Sequence, residues 1–208
     1  MFIPRHPVVE NQFCIFGETS TTTGVGSVLA YAGSVCYLDS SAANQEAIVK
    51  IFTTAAADSA KTPFGFLMQK VKTDYHQVHP TGFVMPGDLG SSDAIAQPSY
   101  TAGSITGTKE VPVGVAHLGI WDTVHYTSAD DTALAPSQAL YVAANANLTV
   151  GTGYSKVTNY SAGANDALNY SNINATVVAY VVKGVSAAKA TANKANTTLY
   201  PMRIKLIV

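Results

Sequence analysis

The stretch "PVGVAHLGIWD" (residues 112–122) repeats the frame of "PFGFLMQKV" (residues 63–71), and Pro112 follows Pro63 by 49 residues (112 − 63 = 49). In each copy a proline and, two residues later, a glycine open an apolar run. Proline is accepted at the first residue of a strand, and a glycine inside a strand marks a bulge or the close approach of another backbone. The two copies therefore predict two related β-strands, near residues 63–71 and 111–122.

Four other stretches have the composition of strands. They are rich in apolar, β-branched and aromatic residues and lie between clusters of turn residues, which favours strands bounded by turns. They cover residues 27–39, 138–150, 175–185 and 199–208. Gly33 divides the first of them and predicts a kink or bulge there. The Ala-, Lys-, Asn- and Thr-rich residues 186–198 are interpreted as the connection to the last strand.

Two segments are less regular. Residues 44–62 fit either the start of a short helix or a strand, and their β-branched residues favour a strand. Residues 80–108 are interrupted by many prolines and glycines, which indicates surface loops with short strands. Short strands spaced by roughly 8 to 12 residues are typical of barrels and sandwiches. The predicted fold is all-β: a small β-barrel or sandwich with an extended N-terminal arm and long surface loops.

Residues 1–26 are predicted to form an N-terminal arm and turn, followed by a β domain at residues 27–208. Residues 1–16 are apolar without periodicity, and their prolines fix extended backbone. Because soluble proteins rarely leave a large apolar patch in water, we expect the arm to dock on a neighbouring subunit or partner. In the alternative, the segment pairs as an edge strand within its own barrel. The candidate partner-binding residues are Phe2, Ile3, Val8, Val9, Phe13, Ile15 and Phe16.

Charged residues are scarce in this chain of 208 residues. Asp, Glu, Lys and Arg make up 12% of it, and the formal net charge is −1, whereas nucleic-acid-binding proteins cluster Lys and Arg to neutralise phosphates. We therefore expect no nucleic-acid partner. The opening residues lack the pattern of a secretory signal, and no apolar run approaches the roughly 18 residues of a membrane-spanning helix. We expect a soluble protein made in a cytoplasm, with no membrane partner.

Asp74, His76 and His79 are the nearest approach to a metal-binding cluster. On a strand the side chains alternate, so Asp74 and His76 share a face and His79 points away, whereas a helix would bring the two histidines together. A catalytic zinc needs three well-placed protein ligands. Cys14 and Cys36 are too few and too far apart for a disulfide framework or a zinc site. The sequence therefore predicts no metal and no cofactor.

His117, Trp121, Asp122 and His125 are the nearest approach to a catalytic group. A histidine with an orienting carboxylate can serve as a general base, but the chain has no Gly-x-Ser-x-Gly turn to supply a nucleophile. Strand alternation places Trp121 and Asp122 on opposite faces, so packing is the favoured interpretation. The eleven tyrosines are scattered along the chain, which favours strand and interface packing over a carbohydrate site. We expect no catalytic residue.

The stretches "PVGVAHLGIWD" and "LAPSQALYVAAN" (residues 134–145) together resemble the small β-barrel of tailed-phage head decoration proteins, also called capsid cement proteins. In that family a Gly-Val-Ala strand is followed by a short loop and a Val-rich strand. The upstream stretches "GSVLAYAGSVCYLD" (residues 26–39) and "TPFGFLMQ" (residues 62–69) are similar to the earlier strands of that barrel. The resemblance covers residues 27–151.

The resemblance implies a structural protein that binds the outer surface of a phage capsid and stabilises it. It implies the major capsid protein as partner, a location on the capsid surface of the virion, and binding without chemistry. Low charge and many tyrosines, which are enriched at interfaces, predict self-association as a homotrimer or another small ring. The alternatives are another virion component, such as a tail-tube or head-fibre protein, and a carbohydrate-binding β module.

Overall fold

The three-dimensional structure is a computed structural model. It describes residues 2–5, 10–17, 28–39, 47–53, 56–73, 94–96, 98–101, 104–108, 111–128, 132–145, 155–159, 170–195 and 197–208. The strands formed by these residues are β1 Phe2–Pro4, β2 Glu10–Phe16, β3 Val28–Ala30, β4 Val35–Leu38, β5 Ile48–Ile51, β6 Pro63–Leu67, β7 Val71–Thr73, β8 Ala94–Ala96, β9 Pro98–Thr101, β10 Ser104–Thr108, β11 Val111–Leu118, β12 Ile120–Thr123, β13 Ala139–Asn145, β14 Lys156–Thr158, β15 Tyr170–Lys183 and β16 Met202–Leu206. A 3₁₀ helix spans Ala56–Ala60, and helix α1 spans Ala187–Lys194. The predicted all-β fold is confirmed.

A barrel and a separate sheet organise these strands. Five strands form a closed barrel in the order β11-β2-β5-β4-β6, and the pairing of β6 with β11 closes it. Six strands form a second sheet in the order β1-β12-β16-β15-β13-β14. Strands β3, β7 and β8 form a smaller sheet, and β9 pairs with β10. The chain passes from the barrel strand β11 to the sheet strand β12 at Gly119, whose φ of 109° suits glycine.

Two hydrophobic cores follow from the alternation of side chains along the barrel strands. On β4, Cys36 belongs to the core inside the barrel, whereas its neighbours Val35 and Tyr37 belong to a second core between the barrel and the six-stranded sheet. The first core consists of the barrel residues Cys14, Phe16, Cys36, Val49, Ile51, Leu67, Val113 and Val115, and Leu29, Ala30 and Val71 of the three-stranded sheet also belong to it. The second core fixes the inner side of the sheet against the outside of the barrel.

The repeated Pro-x-Gly phrase lies on β6 and β11, the two strands that close the barrel. They run antiparallel, with Leu67 opposite Val115. A Cβ atom on Gly65 would lie 2.5 Å from the Val115 Cγ1 atom and 2.8 Å from the carbonyl oxygen of Ala116. The glycine therefore permits a close approach of the two strands that a side chain would block. The two copies of the phrase pair with each other.

Several predicted details are confirmed, and the segment before the last strand differs from its prediction. Gly33, with φ of 93°, forms the turn between β3 and β4, and the ambiguous residues 44–62 contain the strand β5. In contrast, the segment interpreted as a connection, residues 186–198, contains the helix α1. Alanine has the highest helix propensity, and the helix is held in place because Ala190 and Asn193 are buried against the domain.

The described part of the predicted arm is paired within the domain. β1 runs antiparallel to β12 at the edge of the six-stranded sheet. β2 pairs with β11 and with β5, so it is an integral strand of the barrel. This corrects the expectation of an isolated docking arm, and it agrees with the alternative in which the segment pairs within its own barrel. The neighbouring strands therefore supply hydrogen-bond partners for the backbone N–H and C=O groups of β1 and β2.

Candidate interaction surface

The predicted docking residues are separated by the fold. Phe2 and Phe16 are each 1% exposed and belong to the two cores, so they have no surface left for a partner. Ile3 and Ile15 are partly buried. Phe13 is 62% exposed and is the one member of the set that the structure describes as freely exposed. The remaining two residues, Val8 and Val9, lie outside the described residues.

The residues considered for general-base chemistry are used in packing. Trp121 is fully buried, and its Nε1 atom donates a hydrogen bond to the carbonyl oxygen of Leu118 at 3.0 Å. The Nδ1 atom of His117 lies 2.7 Å from the carbonyl oxygen of Phe64, and the two rings meet edge to face at 4.5 Å. Asp122 follows Trp121 on the opposite side of β12, as the alternation predicts.

The structure brings together one serine and histidine that the sequence analysis did not pair. The Oγ atom of Ser34 lies 3.1 Å from the Nε2 atom of His125, and it also accepts the N–H of Tyr31 at 3.3 Å. The ring of Tyr31 stacks on that of His125 at 5.6 Å. Ser34 and His125 are 0% and 6% exposed. The pair therefore ties the turn before β4 to the segment after β12, inside the domain.

The predicted absence of a metal site stays a prediction. Asp74, His76 and His79 lie outside the described residues. Within the ranges that the structure does describe, no three His, Cys, Asp or Glu side chains form a group that could hold a metal ion. Cys14 and Cys36 are free, buried thiols in the barrel. Burial raises the pKa of Cys14 to about 11, and burial together with the nearby Cys14 raises the pKa of Cys36, so both thiols stay protonated at neutral pH.

The outer side of the six-stranded sheet collects charged side chains from β12, β15 and β16 and from Arg5, which follows β1. Across β1, β12, β16 and β15 the register places Ile3 opposite Asp122, Asp122 opposite Arg203, and Arg203 opposite Lys183. Residues directly opposite each other in neighbouring strands have Cβ atoms only about 5 Å apart. In this row Asp122 therefore lies between the apolar Ile3 of β1 and the cationic Arg203 of β16.

A second row lies beside the first on the same side of the sheet. Ile120 is opposite Lys205, Lys205 is opposite Tyr180, and Tyr180 is opposite Ala139. Arg5 extends this row beyond β1, because its N–H donates a hydrogen bond to the carbonyl oxygen of Ile120 at 2.7 Å. The side chains alternate with Trp121, Val181 and Ile204, which are buried on the inner side.

Asp122 joins the two arginines of this surface. The Nε atom of Arg5 donates to its Oδ2 atom at 2.6 Å, and the Nε atom of Arg203 donates to its Oδ1 atom at 2.8 Å. The Nη2 atom of Arg203 also donates to Oδ2 at 3.3 Å. Burial acts to raise the pKa of Asp122, but the hydrogen bonds and charges of Arg203 and Arg5 outweigh it and hold the pKa below its usual value. The carboxylate is ionised at neutral pH.

These two rows, together with their exposed chain neighbours Val182 and Ile207, define a surface that we call the basic face. Its members are Arg5, Asp122, Tyr180, Val182, Lys183, Arg203, Lys205 and Ile207. It has four cations and one carboxylate, a local formal charge of +3 (4 − 1 = 3), in a chain whose net charge is −1. Lys183 and Lys205 are exposed and form no ion pair with any described residue. Tyr180, Val182 and Ile207 are each 41% exposed between the cations.

The sequence carried a weak signal for this surface. In "MRIKL" (residues 202–206) apolar and basic residues alternate, which predicts one buried and one solvated side. However, Arg5 and Asp122 are 117 positions apart, and Asp122 and Arg203 are 81 positions apart. Only the register of β1, β12 and β16 brings these residues into contact.

Comparison with protein-family models, with curated proteins and with solved structures finds no match for this chain. Among the described residues, no helix has the length and apolar character that a membrane crossing needs.

Proposed function

We propose that the chain is a structural virion protein that binds the outer surface of a phage capsid and stabilises the assembled shell. The observation that carries this proposal is the basic face, an exposed, charged and partly apolar surface on a sheet whose inner side is packed against a barrel. The resemblance of residues 27–151 to head decoration proteins gives the proposed partner, the major capsid protein. The activity is binding, and the proposal includes no catalytic step and no cofactor.

The construction of the face supports a binding role. Its strands β12, β15 and β16 are joined by antiparallel pairing, with one register shift in β15 between Val181 and Lys183. The inner residues Trp121, Ile204 and Leu206 are fully buried. A surface that is already ordered before binding loses little conformational entropy when a partner arrives. A protein that binds the assembled shell and not its free subunits stabilises the shell by mass action, and many copies multiply the effect.

The test is binding of the purified protein to empty heads of the virus that encodes it, prepared without this protein. We expect saturable binding and heads that resist heat or chaotrope better when the protein is bound. Binding that does not saturate, or no gain in resistance, would contradict the proposal.

Two further measurements separate the alternatives. Assembly of the purified protein into stacked rings or tubes, followed by electron microscopy, would indicate a tail-tube subunit. Binding to a glycan array, with no binding to heads, would indicate a carbohydrate-binding module. A discrete small oligomer in sedimentation, a homotrimer above all, agrees with the proposed role because closed symmetry is usual for soluble homo-oligomers.

A further inference from the structure

Like charges gather on the basic face in a way that does not stabilise the sheet. Lys183 on β15 is the register partner of Arg203 on β16, immediately after a register shift between Val181 and Lys183, and Lys205 lies two residues further along β16. Like charges opposite each other in neighbouring strands are destabilising. Violations of such local rules are expected at functional sites, where a partner offsets the cost.

Arg5 and Arg203 each have guanidinium N–H groups that do not donate to Asp122. Arg5 uses only its Nε atom for Asp122, so both of its Nη groups have no hydrogen bond among the residues described. The side chains of Arg5 and Arg203 are 44% and 36% exposed. Asp122 neutralises one of these two charges and fixes both guanidinium groups in position. An arginine guanidinium has five N–H donors and matches carboxylates in a bidentate manner.

We propose that the basic face binds a carboxylate-rich protein surface. The contacts are Lys183, Lys205 and the guanidinium N–H groups of Arg5 and Arg203 that do not donate to Asp122. This rests on the proposed function for the choice of a protein partner. Charge complementarity indicates that the partner surface is negatively charged, because a face with a local charge of +3 attracts acidic groups and repels basic ones.

The apolar residues of the face favour a protein over a nucleic acid. Tyr180, Val182 and Ile207 alternate with the cations and are each 41% exposed, and protein interfaces combine such apolar contacts with a polar rim. A nucleic-acid site typically contacts about six to ten phosphates, whereas only three positive charges remain here after Asp122 is counted. Tyr180 could still stack on a base, so single-stranded DNA is included in the test.

The test uses the full-length protein and fluorescent probes: a short oligoglutamate peptide, an oligoglutamine peptide of equal length, and an oligothymidine of the same charge as the oligoglutamate. We expect oligoglutamate to bind at low salt, oligoglutamine not to bind, and the affinity for oligoglutamate to fall as salt is added. Oligothymidine should bind more weakly than oligoglutamate.

A matched pair of variants assigns the binding to the face. Lys183→Gln with Lys205→Gln removes two cations from it and should lower the oligoglutamate affinity about fivefold to tenfold. Lys61→Gln with Lys189→Gln removes the same charge outside the basic face. Lys61 stands over the ring of Tyr37, which belongs to the second core, and Lys189 of α1 stands over the ring of Tyr200. This variant should leave the affinity within about twofold. Thermal melting checks that both variants are folded.

Three results would overturn the inference: no oligoglutamate binding, equal losses in the two double variants, or tighter binding of oligothymidine than of oligoglutamate. The last result would assign the face to nucleic acid. The head-binding experiment is scored separately. Heads that bind the protein while oligoglutamate does not would refute the acidic partner and leave the proposed function standing, and the opposite pattern would refute capsid binding alone.

Discussion

Phe2 stacks face to face on Trp121, with ring centroids 4.4 Å apart and an angle of 8° between the ring planes. Phe2 also stacks on Phe66 of the barrel strand β6 at 5.7 Å. One side chain near the N-terminus therefore joins the edge of the six-stranded sheet to the outside of the barrel. The segment predicted to reach a partner instead holds together the two layers of its own domain.

The first prediction concerns this contact. Phe2→Ala should lower the free energy of unfolding by about 3 to 5 kcal/mol, because it leaves a cavity in a fully buried site. Phe13→Ala is the matched control, since Phe13 is 62% exposed, and it should change stability by no more than about 0.5 kcal/mol. Urea unfolding followed by tryptophan fluorescence measures both. Equal effects of the two variants would show that Phe2 does not join the layers.

The second prediction concerns the close approach of β6 and β11. Gly65→Ala should destabilise the protein by about 1 to 3 kcal/mol, since its Cβ would meet the backbone oxygen of Ala116 at 2.8 Å. Gly114→Ala should cost less, because the nearest atom is the Sδ of the flexible Met68 side chain at 3.0 Å. Chemical denaturation gives the comparison, and a larger loss for Gly114→Ala would contradict it.

The third prediction is a pH dependence at Asp122. Its pKa is lowered in the folded protein because hydrogen bonds from Arg203 and Arg5 outweigh the effect of burial. The ionised carboxylate therefore stabilises the fold above the unfolded pKa of about 3.9, and this contribution is lost as the pH falls through the lowered folded pKa. Asp122→Asn should cost about 1 kcal/mol at neutral pH.

The difference between the wild type and Asp122→Asn should begin to shrink at about pH 4, where the carboxyl of the unfolded chain takes up a proton. It should disappear below the lowered folded pKa, where the carboxyl of the folded protein is protonated as well. Urea midpoints measured across this range test it. A difference that stays constant down to low pH would show that the contribution of Asp122 does not depend on its charge.

The fourth prediction concerns the anchoring of α1. The Nδ2 atom of Asn193 donates to the carbonyl oxygens of Val124 and Tyr126 at 3.0 and 3.3 Å, and its Oδ1 atom accepts the N–H of Tyr200 at 3.3 Å. Asn193→Ala should cost about 1 to 3 kcal/mol because it leaves these buried groups without a partner. The neighbouring exposed Thr191 provides the control, and Thr191→Ala should change stability by no more than about 0.5 kcal/mol.

Hydrogen exchange locates the effect of the fourth variant. We expect Asn193→Ala to lower protection of the Tyr200 amide and of the α1 amides before that of the barrel strands, because the helix is joined to the domain through these bonds. Uniform loss of protection over the whole domain would indicate that Asn193 supports the core itself.

The sequence by itself determined the class of fold and the positions of many strands. Alternation and β-branched content located β4, β6, β11, β13 and β16, because these properties depend on neighbouring residues in the chain. Gly33 predicted a kink or bulge at the place where the structure has the turn between β3 and β4. The helix α1 was not recognised. Its residues are mostly small and polar, so its position depends on Ala190 and Asn193 packing against distant strands.

Only the tertiary structure decided which strands pair and which side chains share a surface. Phe2 and Phe16 are buried, as their apolar side chains indicate, whereas Phe13 is exposed. The sequence did not show what Phe2 packs against, which is Trp121 of its own chain. The basic face likewise requires Arg5, Asp122 and Arg203 to meet in one register. Strand pairing joins residues that are remote in sequence, and its register is selected by the burial of the inner side chains, so no local pattern contains it.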